Sequence, residues 1–201
     1  MTMREFLTRC WKSEQGLAAM EFAFILPILL TMLLGMVELS QALGVRAEVI
    51  NMASTGADLI AQEATAKGTD LDGAFNALNA MLYPNDVKVA TVTITSVVDG
   101  GLGNSPVVAW SCSTSGANAT PAAVPATKGT TPNPAVPAGL MTPGDGGSVI
   151  WSHITYNYTS NLSYFLVGTI PWTNDFYVKP RRVLQVPYSP NPASALGTCN
   201  F

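Results

Sequence analysis

The sequence predicts an α+β fold, in which a long N-terminal helix leads into a small antiparallel sheet with a second, short helix. Apolar residues of the N-terminal part recur at helical spacing, whereas later segments are rich in Val, Thr and Ile and nearly alternate with polar residues. Helices followed by strands, without regular βαβ alternation, are typical of α+β proteins. The 201 residues suffice for one ordinary domain and a membrane anchor.

The composition excludes a nucleic-acid-binding protein and indicates a membrane segment. Only 11% of residues are charged, against about 25% in typical soluble domains. The net charge is −3, and the longest basic run is Arg181-Arg182, so the basic surface that nucleic acid requires is missing. Residues 22–37 are uncharged, and together with 17–20 they approach the length of about 20 residues that crosses a bilayer as a helix.

The basic residues beside the apolar segment predict its orientation. Arg4, Arg9 and Lys12 precede the segment, and the next basic residue after it is Arg46. Cytoplasmic flanks carry an excess of Lys and Arg, so we expect a single-pass protein with its N-terminus in the cytoplasm and the rest outside.

The three cysteines fit this orientation. Cys10 falls on the cytoplasmic side, whereas Cys112 and Cys199 fall on the far side, where oxidation is permitted. We expect a disulfide between Cys112 and Cys199 that ties the C-terminal tail to the middle of the domain. Two buried free thiols are the alternative.

Helical spacing continues beyond the apolar segment to about residue 66. One stripe recurs at steps of three, four and seven: Leu39, Leu43, Ile50, Ala53, Ala57, Ile60 and Ala64. The Glu63–Lys67 pair and Gly68 predict the end of the helix. We assign residues 17–38 to the transmembrane part of this helix and 39–66 to its extramembrane continuation.

Residues 67–201 predict a small α+β domain. Residues 69–82 begin like a capping box and carry one apolar face, which indicates a short helix. Strand-like segments follow at 87–101, 107–110, 148–159 and 176–186, and Pro180 in the last one favours an edge strand. Between them, residues 113–147 consist mostly of Ala, Pro, Thr, Gly, Asn and Ser, so we expect a long, poorly structured insertion.

An acidic residue stands at the head of the apolar run. Residues 16–22 read Gly-Leu-Ala-Ala-Met-Glu-Phe, and a carboxylate within a membrane is costly unless it is neutralised or paired, so Glu21 marks a functional position. This segment resembles the processing motif of type IV prepilins. Together with the following Leu26-Pro27, it more closely resembles TadE-like pseudopilins of the tight adherence (Flp, type IVc) pilus system.

The resemblance implies cleavage by a prepilin peptidase between Gly16 and Leu17, which releases residues 1–16 as a leader. In pilins the carboxylate that corresponds to Glu21, with Phe22 after it, meets the N-terminal amine of a neighbouring subunit and so sets the assembly register. The implied partners are the peptidase, other pilins and pseudopilins, an inner-membrane assembly platform and the lipid bilayer. The implied location is the bacterial inner membrane, with the C-terminal domain in the periplasm.

The length of the chain also bears on its role. Major pilins of this system end soon after the helix, whereas residues 67–201 follow it here, which favours a minor pseudopilin that takes part in initiation or assembly of the pilus. Two alternatives stay open. One is an ordinary signal peptide cut after residues 40–42; the other is an uncleaved single-span anchor that carries a periplasmic adhesin or enzyme, which leaves Gly16 and Glu21 unexplained.

The sequence pattern of the extramembrane residues indicates no catalytic site, cofactor site or metal site. His153 is the only histidine and the aspartates are scattered, which disfavours a hydrolase triad. A helix cap explains Asp70 and Asp72 more simply than a calcium site does. The basic cluster of Lys179, Arg181 and Arg182 is interpreted as charges that guard a solvated edge strand, with a patch for an acidic partner as the alternative.

Overall fold

The computed structural model describes residues 15–119, 122, 124–160 and 168–201. It divides the chain into two units, the first ending at Ala42 and the second spanning Leu43–Phe201. The elements form an α+β arrangement, which confirms the predicted fold class. Residues 1–14 of the predicted leader lie outside the described residues.

The first helix, α1, spans Gln15–Ala61 and includes Pro27. It ends earlier than the predicted boundary near residue 66. The reason is a long-range contact: strand β1, Ala66–Lys67, pairs in parallel with β6, Tyr188–Ser189. A pairing partner from the C-terminal part of the chain therefore overrides the local helical pattern.

The second helix, α2, spans Gly68–Met81. Its start is capped by Asp70, whose carboxylate accepts the N–H of Lys67 at 3.0 Å, as the sequence predicted. Asp72 differs from the prediction, because its carboxylate accepts hydrogen bonds from the C-terminal tail instead of capping the helix. The apolar face of α2, with Leu71, Phe75 and Leu78, is fully buried.

Five antiparallel strands form the sheet in the order β5-β4-β2-β3-β7. Their bounds are β2, Ala90–Val98; β3, Val107–Ser115; β4, Ser148–Tyr158; β5, Ile170–Val178; and β7, Thr198–Asn200. β3 extends three residues into the predicted insertion, and β5 begins and ends earlier than the predicted strand at 176–186. β5 is an edge strand, although Pro180 falls beyond its end.

One face of the sheet packs against the helices. A Cβ added to Gly56 of α1 would lie 3.1 Å from Ser152 Oγ and 2.9 Å from Leu78 Cδ1, so helix and sheet approach closely at this glycine. Side chains alternate along a strand, and therefore Ile150 and Ile154 share the face of Ser152. Both isoleucines are fully buried and belong to the core.

The opposite face of the sheet carries buried hydroxyls. Thr93 pairs with Ser113 at 3.0 Å, and Thr95 pairs with Ser111 at 2.7 Å across β2 and β3. Buried hydroxyls need partners, and each of these four side chains supplies one to its neighbour.

The described residues of 116–147 contain no helix or strand, yet they are held to the sheet. Val108 of β3 donates its N–H to Thr130 O at 2.9 Å and accepts the N–H of Gly129 at 2.8 Å. Composition alone did not predict this docking.

Asp99, which follows β2, holds the other end of the insertion. Its carboxylate accepts the N–H groups of Gly101, Gly144 and Gly146 at 3.1, 2.6 and 3.2 Å. Partial burial alone would raise the pKa of Asp99, but these three hydrogen bonds prevail and lower it.

The C-terminal tail is fixed by covalent and polar contacts. Cys112 of β3 and Cys199 of β7 lie directly opposite each other and form a disulfide with a sequence separation of 87. The Asp72 carboxylate accepts the hydroxyl of Ser194 at 2.5 Å and the N–H groups of Ala195 and Leu196 at 2.8 and 3.0 Å. Burial opposes the ionised form of Asp72, but these bonds outweigh it and lower the pKa.

Candidate functional site

The first unit exposes a largely apolar helical surface. Leu17, Phe22 and Phe24 are 63%, 58% and 75% exposed, and most other large apolar side chains up to Val37 are similarly open. Such a surface is unfavourable in water, because apolar area gains free energy when it leaves water. By length and composition α1 can cross a membrane, which is compatible with a single-pass anchor.

The predicted processing and register residues lie together within α1. Gly16, Leu17, Glu21 and Phe22 are all helical in the structure. Glu21 is exposed and is the only charged residue among the described residues from 15 to 37. It follows Leu17 by four residues, so the two lie one above the other on the same helix face.

The predicted extramembrane stripe divides into two parts. Leu43 and Ile50 are 49% and 42% exposed, whereas Ala53, Ala57 and Ile60 are fully buried within the second unit. The stripe is therefore not one continuous exposed surface, because its C-terminal part is buried in the core of the second unit. Towards Ala61 the domain encloses more of the helix circumference, so side chains in the same helical phase as Leu43 become part of the core.

A polar and aromatic cluster lies across β4 and β5. The Asp175 carboxylate accepts the indole N–H of Trp151 at 2.7 Å, and its Oδ1 lies 2.7 Å from Nδ1 of His153. The ring of Trp151 stacks on that of Tyr177 with centroids 5.9 Å apart. Burial raises the pKa of Tyr177 to about 12, and the nearby Asp175 charge acts in the same direction.

The same cluster contains the order of groups found in a hydrolase triad. His153 Nε2 lies 3.4 Å from the hydroxyl of Thr155, on the side of the ring away from Asp175. That distance exceeds the range of about 2.6 to 3.2 Å that proton transfer requires, and Thr155 is buried. We interpret His153 and Asp175 as a structural pair that joins two strands.

The cluster was missed at the sequence level because its members lie on different strands. The sequence pattern that marks the cluster is alternation: Trp151, His153 and Thr155 occupy every second position of one segment, and Asp175 and Tyr177 do so in another. Alternation predicts a shared face but not the register that brings the two faces together.

The basic cluster is divided by the structure. Arg181 contacts the carboxylate of Asp58 in α1 and donates its backbone N–H to Ala61 O at 2.9 Å. Lys179 and Arg182 are exposed beside it. Among the described residues, no group of three or more His, Cys, Asp or Glu side chains is arranged to hold a metal ion.

Comparison with known proteins identifies the N-terminal segment. The family model of TadE-like proteins matches residues 16–58, which confirms the resemblance over that segment. The match includes Gly16, Leu17, Glu21 and Phe22 and ends within α1. No curated protein and no solved structure is significantly similar to the chain.

Proposed function

We propose that this chain, whose residues 16–58 match TadE-like proteins, is a minor pseudopilin of a tight adherence pilus, processed by a prepilin peptidase between Gly16 and Leu17. TadE-like proteins are assembly components rather than enzymes, so we expect the chain to act through contacts with other subunits and not through catalysis. The observation that carries the proposal is the single carboxylate, Glu21, set one turn after Leu17 in an exposed apolar helix.

Cleavage would change the chemistry of the helix start. It would remove Gln15 and Gly16 with their helical carbonyls, so the first N–H groups after Leu17 would have no intrahelical acceptor. The new amine and these N–H groups together form a positive end. A carboxylate is the group that such an end attracts most strongly in a medium of low dielectric constant.

Glu21 would then set the register between subunits. An amine and a carboxylate that meet in the membrane offset each other's desolvation, whereas a shifted register leaves one of them buried and unpaired. Pairing of Glu21 with the Leu17 amine of a neighbouring pilin therefore favours one axial position over the others. This step requires other pilins or pseudopilins and an assembly platform in the inner membrane.

The extramembrane part of α1 offers one face to those neighbours. Leu43 and Ile50 are exposed, whereas Ala53 and Ile60 are buried in the core of the domain. The packing surface between subunits is thus the outer face near Leu43 and Ile50. The domain, placed in the periplasm by this topology, lies where its Cys112–Cys199 disulfide is stable.

The mass of the mature N-terminus tests the proposal. Protein isolated from the membrane of its own bacterium should begin at Leu17, and Gly16→Ala should leave residues 1–16 attached. Gly35→Ala is the matched control, because a Cβ at Gly35 meets nothing within 4 Å and cleavage should proceed. A mature protein that begins at Leu43 indicates a signal peptide and one that begins at Met1 indicates an uncleaved anchor, and either result contradicts processing.

A further inference from the structure

A groove separates α1 from the edge strand β5. β5 pairs with β4 on one side, and within the described ranges no strand pairs with its other side. Two contacts join β5 and its continuation to α1: the Arg46 guanidinium lies 5.4 Å from the centre of the Trp172 ring, and Arg181 contacts Asp58. One contact lies near the start of β5 and the other three residues beyond its end at Val178, so α1 runs beside the strand.

The space between helix and strand is large enough for side chains of a bound segment. It is a cavity of about 310 Å³, lined by α1, by β5 and by the Asp58–Arg181 ion pair; the other lining residues are Ser54, Thr55, Leu59, Phe176 and Val178. Phe176 is 37% exposed and forms the apolar floor. We call this space the edge groove. An edge strand beside a helix is the geometry in which extended peptides add to a sheet, with pockets that take alternate side chains.

The chain just beyond β5, outside the lining of the edge groove, is positively charged. Three of the ten Lys and Arg residues lie within 179–182, in a chain whose net charge is −3. Arg181 is engaged with Asp58, but Lys179 and Arg182 are exposed at the end of β5. Such cations prevent indiscriminate edge pairing, and they favour a segment that carries carboxylates.

We propose that the edge groove binds an extended, acidic segment of another protein, which adds to β5 as a sixth strand. Alternate apolar side chains of the segment enter the cavity over Phe176, and its carboxylates meet Lys179 and Arg182. A second copy of this chain fits less well, because its own β5 ends in these same cations. The inference does not depend on N-terminal processing, since the groove belongs to the second unit alone.

Peptide binding to the full chain in detergent micelles tests this inference. The probe is a fluorescein-labelled Thr-Val-Glu-Val-Thr-Val-Glu peptide, and its matched control carries Lys in place of both Glu residues. We expect the acidic peptide to bind, as measured by anisotropy, and to slow hydrogen exchange of the β5 amides. The double variant Lys179→Glu/Arg182→Glu should weaken binding about 10-fold, because the attraction between two exposed cations and the carboxylates of the peptide is lost.

Two further variants make the result specific. Lys128→Glu changes an exposed lysine outside the edge groove and should leave the affinity unchanged, whereas Phe176→Ala should weaken binding without any change of charge. The proposal is overturned if the acidic peptide does not bind at about 1 mM, if the lysine peptide binds equally well, or if exchange slows elsewhere than in β5. Self-association through β5 that the peptide does not displace would assign the groove to a second copy and would likewise overturn it.

Discussion

Replacing Cys112 and Cys199 together by alanine should lower the free energy of unfolding of the second unit by about 4 to 5 kcal/mol. The two cysteines are separated by 87 residues, and their disulfide closes a loop that includes the insertion, β4 and β5. Without it, the unfolded chain regains the entropy of that loop, and β7 and the tail are held by non-covalent contacts alone, among them the short pairing with β3 and the hydrogen bonds to Asp72.

Urea unfolding followed by tryptophan fluorescence measures this change, because Trp110, Trp151 and Trp172 all lie in the second unit. With a slope of about 2 kcal/mol per M, the midpoint should fall by about 2 M. Cys10→Ala in the uncleaved precursor is the control and should not move the midpoint. A fall of less than about 0.5 M in the double variant would refute the loop argument, since the non-covalent contacts of the tail would then suffice.

Two other changes test the packing and the polar cluster. Gly56→Ala should destabilise the second unit by about 1 to 3 kcal/mol, because its Cβ would crowd Leu78 and Ser152. Gly44→Ala is the control and should be nearly neutral, because its Cβ meets nothing within 4 Å. Equal urea midpoints for the two variants would contradict the close approach of helix and sheet. Burial alone would raise the pKa of Asp175, but the hydrogen bonds from His153 and Trp151 outweigh burial, and the net effect lowers the pKa. The stabilisation that the ionised Asp175 contributes is therefore complete above the unfolded pKa of about 3.9 and is lost as pH falls through the folded pKa. Asp175→Asn should therefore lower stability at pH 7 and reduce the loss below about pH 4, and a pH profile parallel to that of the wild type would argue against this role.

The sequence predicted the elements whose signals are local. The apolar segment, α2 with its Asp70 cap and the β2 segment each follow from periodicity and end signals within a few residues. The end of α1 was misplaced because Ala66 pairs as a strand residue with Tyr188, which lies far along the chain. The boundary was therefore decided by a contact that no local pattern contains.

The insertion and the edge of the sheet show the same limit. The small and polar residues of 116–147 predict no regular structure, but they do not reveal that Asp99 gathers three N–H groups and fixes the insertion. Likewise, the cluster around Asp175 and the edge groove depend on the register of β4 with β5 and on the helix beside them. The processing residues stay a prediction, which rests on a motif that is contiguous with the apolar run.

The central claim is that Glu21 is tolerated in the membrane because it pairs with the Leu17 amine of a neighbouring subunit. Glu21→Gln keeps the size of the side chain and removes its charge, so the most direct measurement combines the N-terminal mass of this variant with a count of assembled pili on its cells. The account predicts a mature protein that still begins at Leu17 and cells with few or no pili. Wild-type pilus numbers with Glu21→Gln, on cells in which the variant is the only copy, would contradict it.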